Sequence, residues 1–257
     1  MTEANEHGLP RPRRDQTTYG EVFASVFDRH IARRDTEDCL RLLRSRIGPR
    51  AADLLDLGSG TGRIGIPLAT DGHRVTGIEI SERMITALRA KPGGTSIQVI
   101  QGDLVEVDYG GPYDVVYAAD GVLTDIRPWP RLVATFEKIR KALRPTGTFI
   151  CDGGVPPVAA VSKTSHQVDR PLSDGAHLTA DFEHDAVDQF CWGTVRVTLA
   201  DGTFHEDPAA FFGYLWCEQL DDLARRAGFE LVDRFGDWSG SEFTAGSRYQ
   251  VSIYART

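Results

Sequence analysis

Cysteine is scarce and unpatterned in this chain. Cys39, Cys151, Cys191 and Cys217 include no pair at CxxC spacing and no Cys/His pair at zinc-ligand spacing, which removes a zinc ribbon and gives no disulfide framework. Cys39 and Cys151 fall within apolar stretches, where a free cysteine packs as a small hydrophobe, and the usage fits a reducing cytosol. Long apolar runs are missing too: nothing approaches the roughly 18 residues of a membrane span, and no apolar signal segment is visible, so a cytoplasmic protein off the membrane is expected. An excess of positive charge is also absent. Lys and Arg number 29 against 37 Asp and Glu, a net charge of −8, and an acidic surface repels phosphate backbones, which argues against a nucleic-acid partner. The one basic cluster, Arg11, Arg13 and Arg14, lies in the polar segment 1–18, which reads as a disordered tail.

What is present is an α/β pattern. At 257 residues, 41% hydrophobic and 26% charged, the chain suits one large α/β domain with a small insertion. Residues 19–48 read as helical, with Val22, Phe23, Val26, Phe27 and Ile31 at helical spacing. Strand and helix then alternate: Leu54–Leu57, a helix after the glycines, Arg74–Ile78, Glu82–Lys91, Ile97–Ile100, Tyr113–Tyr117, Arg131–Leu143 and Thr148–Cys151. That order implies a doubly wound, mainly parallel sheet covered on both faces, over 49–154. Segment 155–216 changes character. Its Thr-, Val- and aromatic-rich runs, broken near Asp185–Asp188 and at Asp201-Gly202, read as an antiparallel β insertion. Residues 217–257 return to the core with helix Cys217–Ala227 and strands Phe229–Phe235 and Arg248–Tyr254.

The first strand runs into Gly58-Ser59-Gly60-Thr61-Gly62. Glycines at a strand–helix turn let a ligand approach the backbone, and the helix start offers free N–H groups. Residues Gly60–Gly65 also fit the dinucleotide pattern GxGxxG. The turn, however, starts at Gly58, which puts the bulky Arg63 where a dinucleotide loop needs its third glycine. Asp56 opposes a pyrophosphate and suits a cationic ligand. Glu79 ends the second strand, where a carboxylate can accept hydrogen bonds from a ribose diol, and Asp103 follows the third, where it can accept one from an adenine amino group. Three acidic residues at successive strand ends form a set.

The stretch Asp56-Leu57-Gly58-Ser59-Gly60-Thr61-Gly62-Arg63 resembles the S-adenosylmethionine (SAM) motif of class I methyltransferases. Gly77–Met84 resembles their second motif, Gly102-Asp103-Leu104 the third, and Tyr113–Tyr117 the fourth strand, whose end faces the methyl group. The resemblance implies a seven-stranded sheet with its last strand antiparallel, a Rossmann-like methyltransferase fold. It implies SAM as cofactor, held by Asp56, Gly58, Ser59, Gly60, Gly62, Arg63, Glu79, Ile80, Met84, Asp103, Leu104 and Ala118. It also implies a helical lid over 19–48, with Tyr19 touching cofactor or substrate. The layout resembles small-molecule N-methyltransferases of amino sugars and related natural products, so the expected partner is a small-molecule acceptor in antibiotic or other specialised biosynthesis.

Methyl transfer from a sulfonium is an in-line displacement that needs alignment, exclusion of water and, for some acceptors, a base. The candidates for catalysis are Asp120 after the fourth strand, His177 in the insertion, and Tyr19. Asp125 is a further carboxylate, and His166, His184 and His205 are further histidines of the same region. No metal is expected: catechol-type members use an Asp and a later Asp-Asn pair, whereas the only asparagine here is Asn5 and Asp152 precedes Gly153. The Asn/Asp-Pro-Pro-aromatic motif of nucleic-acid methylating members is replaced by Ala118-Ala119-Asp120-Gly121. Nitrogen is favoured as acceptor, with oxygen or carbon left open. A nicotinamide-dependent oxidoreductase, a non-methylating cyclase or binding protein of the same fold, and homo-oligomerisation also stay open at this point.

Overall fold

A computed structural model describes residues 16–31, 36–157, 160 and 163–257. The chain opens with helix α1 (Gln16–Phe23), a π-helical turn (Phe27–Ile31) and α2 (Thr36–Ile47). Then follow β1 (Asp53–Leu57), α3 (Gly65–Thr70), β2 (Arg74–Glu79), α4 (Glu82–Ala90), β3 (Gln98–Gln101), β4 (Tyr113–Ala118), α5 (Trp129–Ala142) and β5 (Leu143–Gly154). Strands β6 (Ser165–Pro171), β7 (His177–Asp185), β8 (Phe190–Thr198) and β9 (Phe204–Gly213) come next, and α6 (Cys217–Arg226), β10 (Phe229–Phe235) and β11 (Tyr249–Arg256) close the fold. Because α1 begins at Gln16, residues 16–18 are helical and the expected tail shortens; the rest of that tail lies outside the described residues.

The main sheet has seven strands in the order β10-β11-β5-β4-β1-β2-β3, with β11 antiparallel to both neighbours, as the resemblance implied. β1 shows why it is central. Leu55 and Leu57 face a core that includes Phe136 of α5, Phe149 of β5 and Leu220 of α6. Leu54 faces the opposite core with Cys39, Leu40 and Leu43 of α2, Leu68 of α3 and Leu88 of α4. A period of two in the strand thus feeds two helical layers. α2 is therefore part of the covering layer of the main sheet. α4 is set by Ser81, whose hydroxyl accepts the Met84 N–H at 3.2 Å as its N-cap.

The insertion forms its own antiparallel sheet, β6-β7-β8-β9. Its inner face, including Leu178, Ala180, Val197 and Ala210, packs on Phe23 and Val26. The edge strands β6 and β9 lack the clean alternation of β7, and the β8–β9 register shifts between Gly193 and Val195, beside Pro208, which cannot donate a ladder hydrogen bond. Among the described residues no helix is long and apolar enough to cross a membrane.

Candidate active site

The carboxyl ends of β1 to β4 open into a cavity of about 440 Å³, the position at which open parallel sheets bind ligands. Its floor is the glycine loop. After Leu57 the backbone turns at Gly58, Gly60 and Gly62, all in the left-handed region (φ 72°, 52° and 76°). The Gly58 and Ser59 N–H groups donate to Ile78 O at 2.9 and 3.0 Å, which ties the loop to β2. A Cβ on Gly58 would stand 2.7 Å from Val122, whereas one on Gly60 would meet nothing nearer than 3.9 Å. Gly60 is therefore the backbone that opens towards a ligand.

Glu79 organises this cradle. Its Oε2 accepts the Gly60 N–H at 2.8 Å, and its Oε1 accepts the Ile80 and Ser81 N–H groups at 2.9 Å each. Burial still leaves its carboxyl above the usual range, against the lowering effect of these bonds. Asp56 is 4% exposed; burial pushes its carboxyl up to about 7, with the Arg63 charge acting in the other direction. The Tyr117 hydroxyl lies beside it, coupled electrostatically but outside hydrogen-bond geometry. Asp103 accepts the Val105 N–H at 2.8 Å through one oxygen and Arg131 at 2.6 Å through the other.

In the loop after β4, Asp120 is bound to the glycine loop that follows β1. It sits at φ 62°, and its carboxylate pairs with Arg63 at 2.6 Å, while Arg63 also donates to Thr36. Asp120 thus serves first as the partner of a loop cation. Asp125, by contrast, accepts the Gly213 N–H at 2.9 Å, which joins the core to β9, and burial pushes its carboxyl up to about 7.

The upper wall comes from α1 and the inserted sheet: Tyr19, Phe27, Phe182, Val195, Asp207, Phe211 and Phe212. Tyr19 stacks obliquely on Phe23 with ring centroids 5.0 Å apart. Its hydroxyl is raised above the ordinary phenol value, first by burial and then by the charges of Asp120, Asp125 and Asp207, so it stays protonated at neutral pH. The π-helical turn is fastened to the floor: Asp28 accepts the Thr61 hydroxyl and pairs with Lys91, which also donates to Thr61 O at 2.8 Å.

Asp56, Gly58, Ser59, Gly60, Arg63, Glu79, Ile80, Met84, Asp103, Leu104, Tyr19 and Asp120 all line this cavity. Three expectations need correcting. Gly62 turns towards the core, where a Cβ would meet Ile66 and Leu88 at 2.9 Å. Ala118 is 1% exposed and packed in the core beneath β4, so that its neighbour Ala119 takes the wall position. His177 points away from the cavity because its β7 face is the exposed one, and it pairs with Asp169 at 2.9 Å. His184, on the inward face, donates through Nδ1 to Lys163 O at 2.8 Å and hydrogen-bonds the Tyr214 hydroxyl through Nε2 at 3.1 Å, and it does not line the cavity either. Asp207 was missed. A buried aspartate, 1% exposed, just before the apolar run Ala209–Phe212 and next to Pro208 is the signal that could have found it.

The pocket fits an adenosyl sulfonium. The Gly60 backbone, where a Cβ would meet nothing nearer than 3.9 Å, leaves room for a ligand against the loop. The acidic floor suits a cation.

Comparison with known proteins agrees. The family described as "Methyltransferase domain" matches residues 54–147. The putative methyltransferase YqeM of Bacillus subtilis is 30% identical over 132 residues; the match spans 51% of this chain and about half, 53%, of that protein. The cypemycin N-terminal methyltransferase of a Streptomyces species is 24% identical over 79% of this chain and 82% of its own. The structure of the CcbJ methyltransferase from Streptomyces caelestis superposes with a TM-score of 0.83 at 29% identity, covering 95% of this chain and 99% of that one. On the glycine loop, the acidic strand ends and these likenesses together, the chain carries a methyltransferase domain over residues 54–147 and has the fold of the class I SAM-dependent methyltransferases.

Proposed function

We propose that this enzyme transfers the methyl group of SAM to a nitrogen of a small molecule held between the glycine loop and the inserted sheet. The observation that carries the reading is the upper chamber: the carboxylates of Asp120, Asp125 and Asp207 line the same cavity as Tyr19 and the rings of Phe182, Phe211 and Phe212. Carboxylates under an aromatic roof suit an acceptor with an apolar body and an ammonium group. The name of the cypemycin N-terminal methyltransferase supports a nitrogen acceptor.

In this reading Gly60, Asp56, Glu79, Met84 and Asp103 hold the cofactor, with Glu79 on the ribose and Asp103 on the adenine. SAM supplies a methyl group already activated on sulfur. The chain's own residues do the remainder. The roof excludes water and fixes the acceptor near the end of β4, an alignment that contributes on the order of 7–11 kcal/mol in favourable cases. An ammonium has no lone pair, so its proton must leave before nitrogen attacks. Asp125 is the residue placed to hold that ammonium and take the proton, because a carboxyl near 7 is a better base than an ordinary aspartate. Asp120 keeps Arg63 neutralised, and the protonated Tyr19 hydroxyl orients the acceptor.

Transfer of a labelled methyl group from SAM to a panel of amines, phenols and carbon acids tests the reading. Amines are expected to be methylated, and kcat/KM is expected to fall as pH drops below about 7, as Asp125 gains its proton. Asp125→Asn should cost about 100-fold or more in kcat/KM and flatten that acid limb. Methylation confined to hydroxyl or carbon acceptors, or an Asp125→Asn enzyme as active as the parent, would sink it.

A further inference from the structure

The carboxylate of Asp152, at the end of β5 and 2% exposed, lies behind the cavity wall rather than in it. Four donors converge on it. The Asp120 N–H reaches Oδ2 at 3.0 Å and the Gly121 N–H reaches Oδ1 at 2.7 Å. Trp238 Nε1–H donates to Oδ2 at 2.8 Å, and so does the Tyr249 hydroxyl. Two donors are backbone groups of the loop after β4; the other two come from the closing segment of the chain. The loop it grips is an unfavourable one. Asp120 is a non-glycine residue in the left-handed region, followed by Gly121 at φ 75°, a combination that persists only where surroundings impose it. That conformation brings the Asp120 carboxylate to Arg63 of the glycine loop.

We propose that Asp152 is a positioning residue for the methyl-transfer site: by anchoring the two N–H groups of Asp120-Gly121 against Trp238 and Tyr249, it holds the Asp120–Arg63 bridge across the cofactor cradle. The closing strand β11 and the residues before it, far from β1 in sequence, thereby set the shape of the SAM pocket. A carboxylate is needed because four donors must be accepted at once, and an amide can accept on one side only.

Binding of S-adenosylhomocysteine by calorimetry tests this without an acceptor, with thermal melting recorded in parallel. Asp152→Asn keeps the size of the side chain but turns one acceptor into a donor facing donors. Its affinity is expected to fall about tenfold, and that of Asp120→Ala by a similar factor. The double variant should bind no more weakly than the weaker single variant, because both changes remove the same bridge. A role confined to fold stability would lower the melting temperature of Asp152→Asn and leave the affinity of the folded protein unchanged. That result, or independent losses that multiply in the double variant, overturns the proposal. Should Asp152→Asn fail to fold, Tyr249→Phe removes one donor and leaves the carboxylate. It is expected to weaken binding by about threefold, and to lose that effect when Asp120 is already alanine; an undiminished effect there overturns the proposal.

Discussion

Glu79→Ala is expected to lose SAM and S-adenosylhomocysteine binding by at least about 100-fold, near 3 kcal/mol or more, while the chain stays folded. One carboxylate holds the Gly60, Ile80 and Ser81 N–H groups, and in the functional reading it also receives the ribose. Alanine removes the ribose partner and at the same time releases Gly60, the one loop position whose backbone opens towards the cavity. Glu79→Gln should fall between the two, since the amide keeps one acceptor but turns an N–H towards another N–H. Calorimetric titration with either adenosyl ligand, alongside a thermal melt, checks both variants. Binding by Glu79→Ala within threefold of the parent would remove the cradle from the argument.

Arg127→Ala is expected to have the largest effect on stability. The guanidinium is 6% exposed and donates to Thr124 O at 2.9 Å and Ile126 O at 3.0 Å on the core side. On the insertion side it donates to Gln189 O at 3.2 Å and Tyr214 O at 3.3 Å. It also lies over the Trp129 ring at 4.6 Å. Truncation leaves these buried carbonyls without their donor and opens a cavity, a loss on the order of 3–5 kcal/mol and about 10 °C in Tm. The inserted sheet should loosen first, so protease cleavage within 165–213 should precede loss of the core. Lysine should not rescue, because a single ammonium cannot span four carbonyls in a planar fork. A Tm within 2 °C of the parent, with unchanged cleavage, would count decisively against this clamp.

The glycine-loop half of the cavity was legible in the sequence because its parts are local. A glycine loop, an acidic residue at each strand end and the alternation of strand with helix are set by a few neighbouring residues, and Asp56, Glu79 and Asp103 duly line one cavity. The half of the cavity under the inserted sheet depends on pairing over long separations. Whether His177 faces inward is a matter of register, and one residue along β7 separates it from the buried Leu178. Asp207 reaches the cavity only because β9 is the strand nearest α1, and Asp152 matters only because β11 and the residues before it return beside β5. Ala118 and Gly62 erred in a different way: the motif places them near the ligand, but a strand end and a turn each expose alternate residues. The limits of β5 were misjudged for a similar reason, since its twelve residues, Leu143–Gly154, include the Pro145-Thr146-Gly147 stretch that locally reads as a turn.

The roof and the floor of this enzyme belong to different sheets that share no ladder, and the contacts that join them include Asp125, Arg127, the Gln189–Gln219 amide pair and the packing of α1. Drift in one layer therefore need not disturb the other. Transplanting a foreign β6–β9 unit onto the same donor-binding base becomes a practical route to altered acceptor choice, provided that the graft supplies carbonyls for Arg127 and an N–H for Asp125 at the seam.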